Sequence, residues 1–292
     1  MIGAPTPPSR RYGGKIADMS RWDIFAPRIG DIVVSTPTKS GTTWTQGILA
    51  LLISGDPEVN ADLTTKAPWL DINTPDVSDV MAQLEAQGHR RQIKTHTPLD
   101  GIPIWSELRY ISVYRHPIDV HFSFRKHVSN MNETVLEECF PGDLSDGFRI
   151  FLEGEHRDGA SLASIIDHYR SALALDAHEN FLRLHYADMT DDLQGAFRRI
   201  ATHVGISYPP DLEAKLIQAA TFKNMKANAN RFALAAGQNF WTNDAAFFDS
   251  ATSNKWLGKL TKQDLAAYDA RMSDLLSTQE RQWLEWGSGK AN

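Results

Sequence analysis

From residue 31 onward, apolar positions along this chain alternate between two rhythms. Short runs rich in branched and aromatic side chains, Asp31-Ile32-Val33-Val34-Ser35, Gln92-Ile93-Lys94-Thr95, Tyr110-Ile111-Ser112-Val113-Tyr114 and Phe181-Leu182-Arg183-Leu184-His185-Tyr186, have the length of buried strands. Between and after them, apolar residues recur every three or four positions. Trp44, Ile48, Leu51 and Leu52 form one helical stripe with Gly55 placed to end it; Leu162, Ile165, Ile166, Tyr169 and Leu173 form another. Pro117 suits a helix N1 position, which predicts a helix to about Val128. Further helices are predicted over Leu193 to Val204, closed by Gly205, and over Asp211 to Ala219. Thr261 with Asp264 resembles a capping box ahead of a last long helix whose stripe is Leu265, Tyr268, Met272 and Leu275. Strands alternating with helices, without internal repeat or low-complexity linker, predict an α/β fold in a single domain. Its central, mainly parallel sheet is flanked by helices.

Three stretches lack either rhythm. Residues 1–20 read as a flexible N-terminal arm ahead of a domain over residues 21–292. Residues 61–87, rich in Asp, Pro and Thr, read as a long, partly ordered loop with a short helical pattern at Val77, Met81 and Leu84. Trp69 inside it reads as packing, a lid anchor or part of a pocket wall. Residues 228–253 are irregular and rich in Asn, Ala and Phe.

Composition narrows the function classes. The chain has 292 residues, 42% apolar and 23% charged, enough to bury a sizeable core. Its longest aliphatic stretch, Ile48 to Ile53, is far short of the ~20 residues of a membrane span, and Met1 to Arg11 has no signal-peptide core. One cysteine, Cys139, allows no intramolecular disulfide and fits a reducing, cytoplasmic setting. The net charge of −6 argues against a general nucleic-acid surface, so an anionic ligand requires a locally basic pocket.

Such a pocket is written into three strand ends. Ser35 to Trp44, carrying Lys39-Ser40-Gly41-Thr42-Thr43, joins the first strand to a helix N-terminus, whose first N–H groups have no intrahelical partners. Two readings are open from this loop alone: a capped turn with a solvated lysine, or an anion cradle. The next strand ends in Lys94-Thr95-His96 and the third in Arg115. Ligands of open α/β sheets bind outside the carboxyl ends of the strands, so Lys39, Lys94, His96 and Arg115 are predicted to converge. The loop is not a Walker A sequence, since its lysine precedes the glycine. Basic groups stand where a Mg²⁺ site would need an acid, so no metal is expected.

These residues together resemble the PAPS-dependent cytosolic-type sulfotransferase family, PAPS being 3′-phosphoadenosine 5′-phosphosulfate. The family loop Thr-Tyr-Pro-Lys-Ser-Gly-Thr-Thr-Trp is matched from Thr36 to Trp44 with the proline displaced to Pro37. Its Lys-Thr-His is matched by Lys94-Thr95-His96, and its Arg-Asn-Pro-x-Asp-x-x-x-Ser by Arg115 to Ser123 with His116 for Asn. Weaker echoes occur at Tyr186 to Met189, Thr221-Phe222-Lys223 and Asn254-Lys255-Trp256.

The resemblance implies sulfuryl transfer from PAPS to the hydroxyl or amine of a small-molecule acceptor, leaving the 3′,5′-diphosphate PAP, without a metal. It casts His96 as general base, Lys94 as a stabiliser of the sulfuryl oxygens and Lys39 as the partner of the leaving oxygen. The P-loop-like cradle of Lys39, Ser40, Gly41, Thr42 and Thr43 would hold the 5′-phosphosulfate. Arg115 and Ser123 would hold the 3′-phosphate, and Trp44, Tyr186 and Phe222 would enclose the adenine. Where the family has a late Arg-Lys-Gly, this chain has Asp249-Ser250-Ala251, so Lys255, Lys259 or Arg231 is expected to substitute, unless the 3′-phosphate is held less tightly. The family's dimer motif is unrecognisable, which leaves the oligomeric state open. The acceptor pocket is expected among residues 61–87, 130–157 and 228–253, with Trp69, Phe140 and Phe240-Trp241 as walls for an apolar or aromatic alcohol. His116 and His121 read as solvated helix residues. The alternatives are a P-loop-type small-molecule kinase and a nucleotide-binding protein without catalysis.

Overall fold

Four strands, β1 (Ile32–Ser35), β2 (Gln92–Thr95), β3 (Arg109–Tyr114) and β4 (Phe181–His185), pair in the order β2-β1-β3-β4, every pair parallel. They are seen in a computed structural model that describes residues 1–132, 136–156, 158–232, 241–243 and 252–289, apart from the Asn230 side chain. Successive residues of a strand face opposite sides, and both sides of this sheet are covered. Val33, Ile93, Tyr110 and Tyr114 belong to one apolar cluster, while Ile32, Val34, Ile111 and Val113 belong to another. Burial on both faces is why the strands read as apolar runs rather than alternations.

Between β1 and β2 lie α1 (Thr42–Ser54), α2 (Leu63–Lys66) and α3 (Val77–Ala86). Between β3 and β4 lie α4 (Pro117–Val128), α5 (Leu144–Glu153) and α6 (Leu162–Leu173). After β4 come α7 (Tyr186–Asp191), α8 (Leu193–Val204), α9 (Pro210–Ala219), α10 (Phe222–Ala227) and α11 (Ala229–Phe232), then α12 (Lys262–Leu275) and α13 (Thr278–Trp286). Helices α1, α8 and α9 bury Ile48, Leu51, Ile200 and Leu216 on one face of the sheet; α3 to α6, α12 and α13 bury Leu84, Ile118, Phe151, Ile165, Met272 and Leu284 on the other. Gly55 ends α1 in the left-handed region at φ 66°, its N–H on the Leu51 carbonyl, and Thr261 and Asp264 form the capping box of α12. Among the described residues no helix is long and apolar enough to cross a membrane.

Three strand boundaries move by one residue, the start of β3 to Arg109 among them. Asp31 precedes β1, its buried carboxylate taken up by both arms of the Arg91 guanidinium at 2.9 and 2.6 Å, and Tyr186 opens α7 instead of closing β4. His116 and His121, expected in solvent, are buried. His116 caps α4 by accepting the Ile118 N–H, because an imidazole nitrogen one residue before Pro117 meets the unpaired first-turn donors. His121 faces the core, ringed by Phe122, Phe140, Phe148 and Phe151. Residues 1–20 run along the domain: Thr6 exchanges two backbone hydrogen bonds with Ile104, and the Asp158 carboxylate accepts the N–H groups of Lys15 and Ile16.

The order of the strands sets the position of the site. The chain leaves β1 toward one edge of the sheet and β3 toward the other, so the crevice beyond the carboxyl ends of β1 and β3 is the topological switch point.

Candidate active site

The loop after β1 opens at this switch point. It is closed by a 2.5 Å hydrogen bond between the hydroxyls of Thr36 and Thr42 and by the Ser40 N–H on the Pro37 carbonyl. Lys39 adopts φ 64°, a conformation that costs a side chain, and Gly41 adopts φ 120°. A Cβ at Gly41 would sit 3.1 Å from Tyr186 and 3.2 Å from Val113, so glycine is required twice over. As the N-cap of α1, Gly41 supplies no side-chain hydrogen bond to the first N–H groups of the helix. Among the described residues the Ser40 hydroxyl, fully buried, has no hydrogen-bond partner, and neither has Arg115 Nε. Orphaned buried donors around a helix N-terminus fit a polyanionic ligand.

Next to the loop, the structure brings together the three rings expected at the base. Trp44 lies 5.5 Å from Tyr186 and 6.5 Å from Phe222, edge to face, and is anchored by its Nε1–H on the Ala220 carbonyl. The Arg115 guanidinium lies 4.5 Å above the Tyr186 ring, and its Nη2 donates to the Thr252 carbonyl at 3.1 Å. Asp119, one turn along α4, accepts the backbone N–H groups of Asn254 and Lys255, which docks that segment over the helix start. Arg115 lies close enough to Asp119 to favour its ionised form against the raising effect of burial. Ser123 is half-buried on the same helix. Asp249, Ser250, Ala251 and Phe240 lie outside the described residues.

At the end of β2, His96 Nδ1 donates to the Thr36 carbonyl at 2.8 Å, which leaves the Nε2 lone pair of the neutral ring available. Burial, reinforced by Lys94, holds its pKa well below the usual 6.5. Lys94 is buried, and burial pushes its pKa down to about 8 against the opposing pull of Asp71. Its ammonium lies 4.2 Å above the Trp69 ring, which also meets the His96 ring at 4.7 Å, edge to face. Trp69 is pinned there by backbone hydrogen bonds from Lys94 to Pro68 and from Leu70 to Lys94.

Three contributors were missed by sequence reasoning. Asp71, fully buried, gathers the indole N–H groups of Trp22 and Trp69 and the hydroxyls of Thr95 and Thr97, so it fixes both Trp69 and the end of β2. His127, on α4, accepts a hydrogen bond from Lys39 Nζ at 2.9 Å; its spacing of four residues from Ser123 was the available signal. Tyr12 and Ile16 of the N-terminal segment, with Trp69, His96, His156 and Asp158, line a mostly apolar cleft of about 490 Å³, including its open mouth. Of the expected walls, Trp69 borders this cleft, whereas Phe140 packs against His121 and Phe124, and Trp241 against His127.

Residues 30–280 match the family model described as sulfotransferase domain. A glycolipid sulfotransferase of Mycobacterium bovis is 32% identical, over 94% of each chain, and sulfotransferase 2A2 of Mus musculus is 26% identical over 84% of each. Among solved structures, a mouse sulfotransferase complexed with PAP superposes with a TM-score of 0.71 at 21% identity, covering 90% of this chain and 91% of the other. Retinol dehydratase in complex with androsterone and PAP gives 0.69 at 19% identity, covering 89% and 84%. At those identities the likeness is one of fold.

Proposed function

Because this chain belongs to the sulfotransferase domain family, we propose that it moves a sulfuryl group from PAPS to a hydroxyl of a small molecule. The observation that carries this reading is the convergence of Lys39, Lys94 and His96 at adjoining strand ends, beside an aromatic trio and a guanidinium whose Nε has no partner among the described residues. When bound, PAPS supplies the electrophilic sulfur and a good leaving group.

Every other task falls to the chain. The Ser40 to Thr43 backbone and hydroxyls hold the 5′-phosphosulfate, with Lys39 on the leaving oxygen. Lys94, about 8 in pKa, is still charged at neutral pH and stabilises the equatorial oxygens as charge builds there. His96 Nε2 removes the acceptor proton, and the Thr36 carbonyl on Nδ1 fixes the tautomer and supports the imidazolium as it forms. Arg115, Ser123 and Lys255 hold the 3′-phosphate, while Trp44, Tyr186 and Phe222 enclose the adenine.

The acceptor is an alcohol on an apolar body. The cleft in front of His96 is mostly apolar, and similar proteins pair the fold with a glycolipid, androsterone and retinol, which are hydroxyl-bearing lipids. A cytoplasmic setting follows from the cytosolic-type resemblance. The kinase alternative has no observation in its favour.

The test is a screen of phenols, sterols, aliphatic alcohols and glycosides with PAPS, read by mass shift, followed by His96→Ala. We expect kcat to fall about 100-fold or more, the usual size of a general-base effect, while PAP binding by calorimetry stays within about threefold. Full turnover in that variant would remove His96 from the mechanism. ATP consumption abolished by EDTA would favour the kinase instead.

A further inference from the structure

Lys39 is held by a residue that the mechanism above does not use. Its Nζ donates to His127 Nδ1 across 2.9 Å, and an ammonium has no lone pair, so this imidazole must be neutral with its proton on Nε2. Burial, with Lys39, Lys94 and His96 facing the ring, favours that neutral form. His127 is itself fixed. It sits one turn beyond Ser123 on the same face of α4, its ring 4.7 Å from Trp241 and 6.2 Å from Phe124, and Trp241 bridges by its backbone to Met131 past the helix end.

A lysine stem has four rotatable carbons, and ordering it at the moment of reaction costs entropy that an acceptor placed beforehand removes. We propose that His127 is the positioning residue for Lys39: its Nδ1 lone pair keeps the ammonium beside Lys94 and His96, where the phosphosulfate of the donor will lie. The proposal rests on the sulfotransferase reading for its purpose, although the contact itself does not.

Two substitutions separate the acceptor from the ring. His127→Leu removes the lone pair, whereas His127→Asn places Oδ1 near the position of Nδ1. With the full chain, PAPS and an acceptor from the screen, His127→Leu should lower kcat about 10- to 100-fold, the range for a lost hydrogen bond to a charged group. The KM for PAPS should change by less than about threefold, and His127→Asn should recover activity to within about fivefold of the parent. Wild-type kcat in His127→Leu overturns the proposal. So does equal loss in both variants with unchanged thermal unfolding, which would place the effect in packing against Trp241. An arm independent of turnover is proton NMR titration of the His127 ring in the parent and in Lys39→Met. Removing the adjacent cation should raise its pKa. An unmoved titration refutes the contact, and this holds even if no acceptor is ever sulfated, an outcome that would count against the sulfotransferase reading alone.

Discussion

Replacing Asp71 by asparagine removes one charge and leaves the outline of the side chain unchanged. In the native protein Oδ2 accepts from Trp22 Nε1 at 2.9 Å and from the hydroxyls of Thr95 and Thr97 at 2.6 and 2.8 Å, while Oδ1 accepts from Trp69 Nε1 at 2.7 Å. An amide offers one oxygen. Whichever way it is turned, its NH₂ faces an indole N–H, that of Trp69 or that of Trp22. Threonine hydroxyls can rotate to accept, but an indole cannot. Hydrogen bonds to a charged group net about 1.5–3 kcal/mol each and a stranded buried donor costs about 1–3 kcal/mol, so the variant should lose about 3 kcal/mol. For a chain of this length that is a fall in Tm of roughly 5 °C.

The same substitution acts on Lys94. Burial has brought this lysine down to about 8, and Asp71 is the group that pulls it upward. Neutralising Asp71 must lower Lys94 further, so its charge is lost at a lower pH. If that charge stabilises the transferring oxygens, the basic limb of the kcat profile moves to lower pH by the same amount. Calorimetric unfolding and a kcat profile between about pH 6 and 9.5 measure the two effects separately. A lowered Tm with an unmoved basic limb would refute the electrostatic half of the argument. An unchanged Tm would refute the structural half.

Two further outcomes follow from buried nitrogens that have no partner among the described residues. Arg115→Met should weaken PAP about 10- to 100-fold by calorimetry while weakening AMP by less than about threefold, since a guanidinium bonds phosphate oxygens in pairs; equal losses for both would take Arg115 away from the 3′-phosphate. His121→Leu should stabilise the protein by about 1–2 kcal/mol in urea unfolding, because both ring nitrogens are buried without a partner among the described residues and burial holds the ring's pKa down to about 3. A destabilised variant would mean that the ring has a polar role.

Regular elements were legible because both of their signals are local. A run of branched residues preceded by Gly30, or a stripe ended by Gly55, needs no knowledge of the rest of the chain. The meeting of Lys39, Lys94 and His96 was also legible, since a parallel sheet places every strand's carboxyl end on the same edge. What escaped the sequence depends on contacts made across long separations. Asp71 lies in a stretch without periodicity, and its meaning comes from Trp22, 49 residues earlier, and Thr97, 26 residues later. His121 looked solvated because a histidine on an amphipathic helix usually is, and only the packing of α5 against α4 turns that position inward. Tyr12 and Ile16 precede the first regular element, yet Asp158 ties the backbone beside them into the wall of the cleft.

The charge states of the site follow from one cause acting on unlike starting points. Net charge is −6, yet at the switch point Lys39, Lys94, His96 and His127 face one another, and burial adds to their mutual repulsion. Both effects oppose protonation. Acting on an imidazole that starts at 6.5, they hold His96 neutral throughout the physiological range, as a general base must be before it takes a proton. On the Lys94 ammonium, which starts at 10.5, burial acts against the opposing pull of Asp71, brings the pKa down only to about 8 and leaves the group charged at pH 7, as the proposed oxyanion partner must be. A polyanionic donor reverses the balance, because its negative charge favours protonation of every group around it. In the proposed mechanism His96 would therefore be a weaker base in an empty cradle than beside a bound donor, which would couple deprotonation of the acceptor to the presence of the group to be transferred.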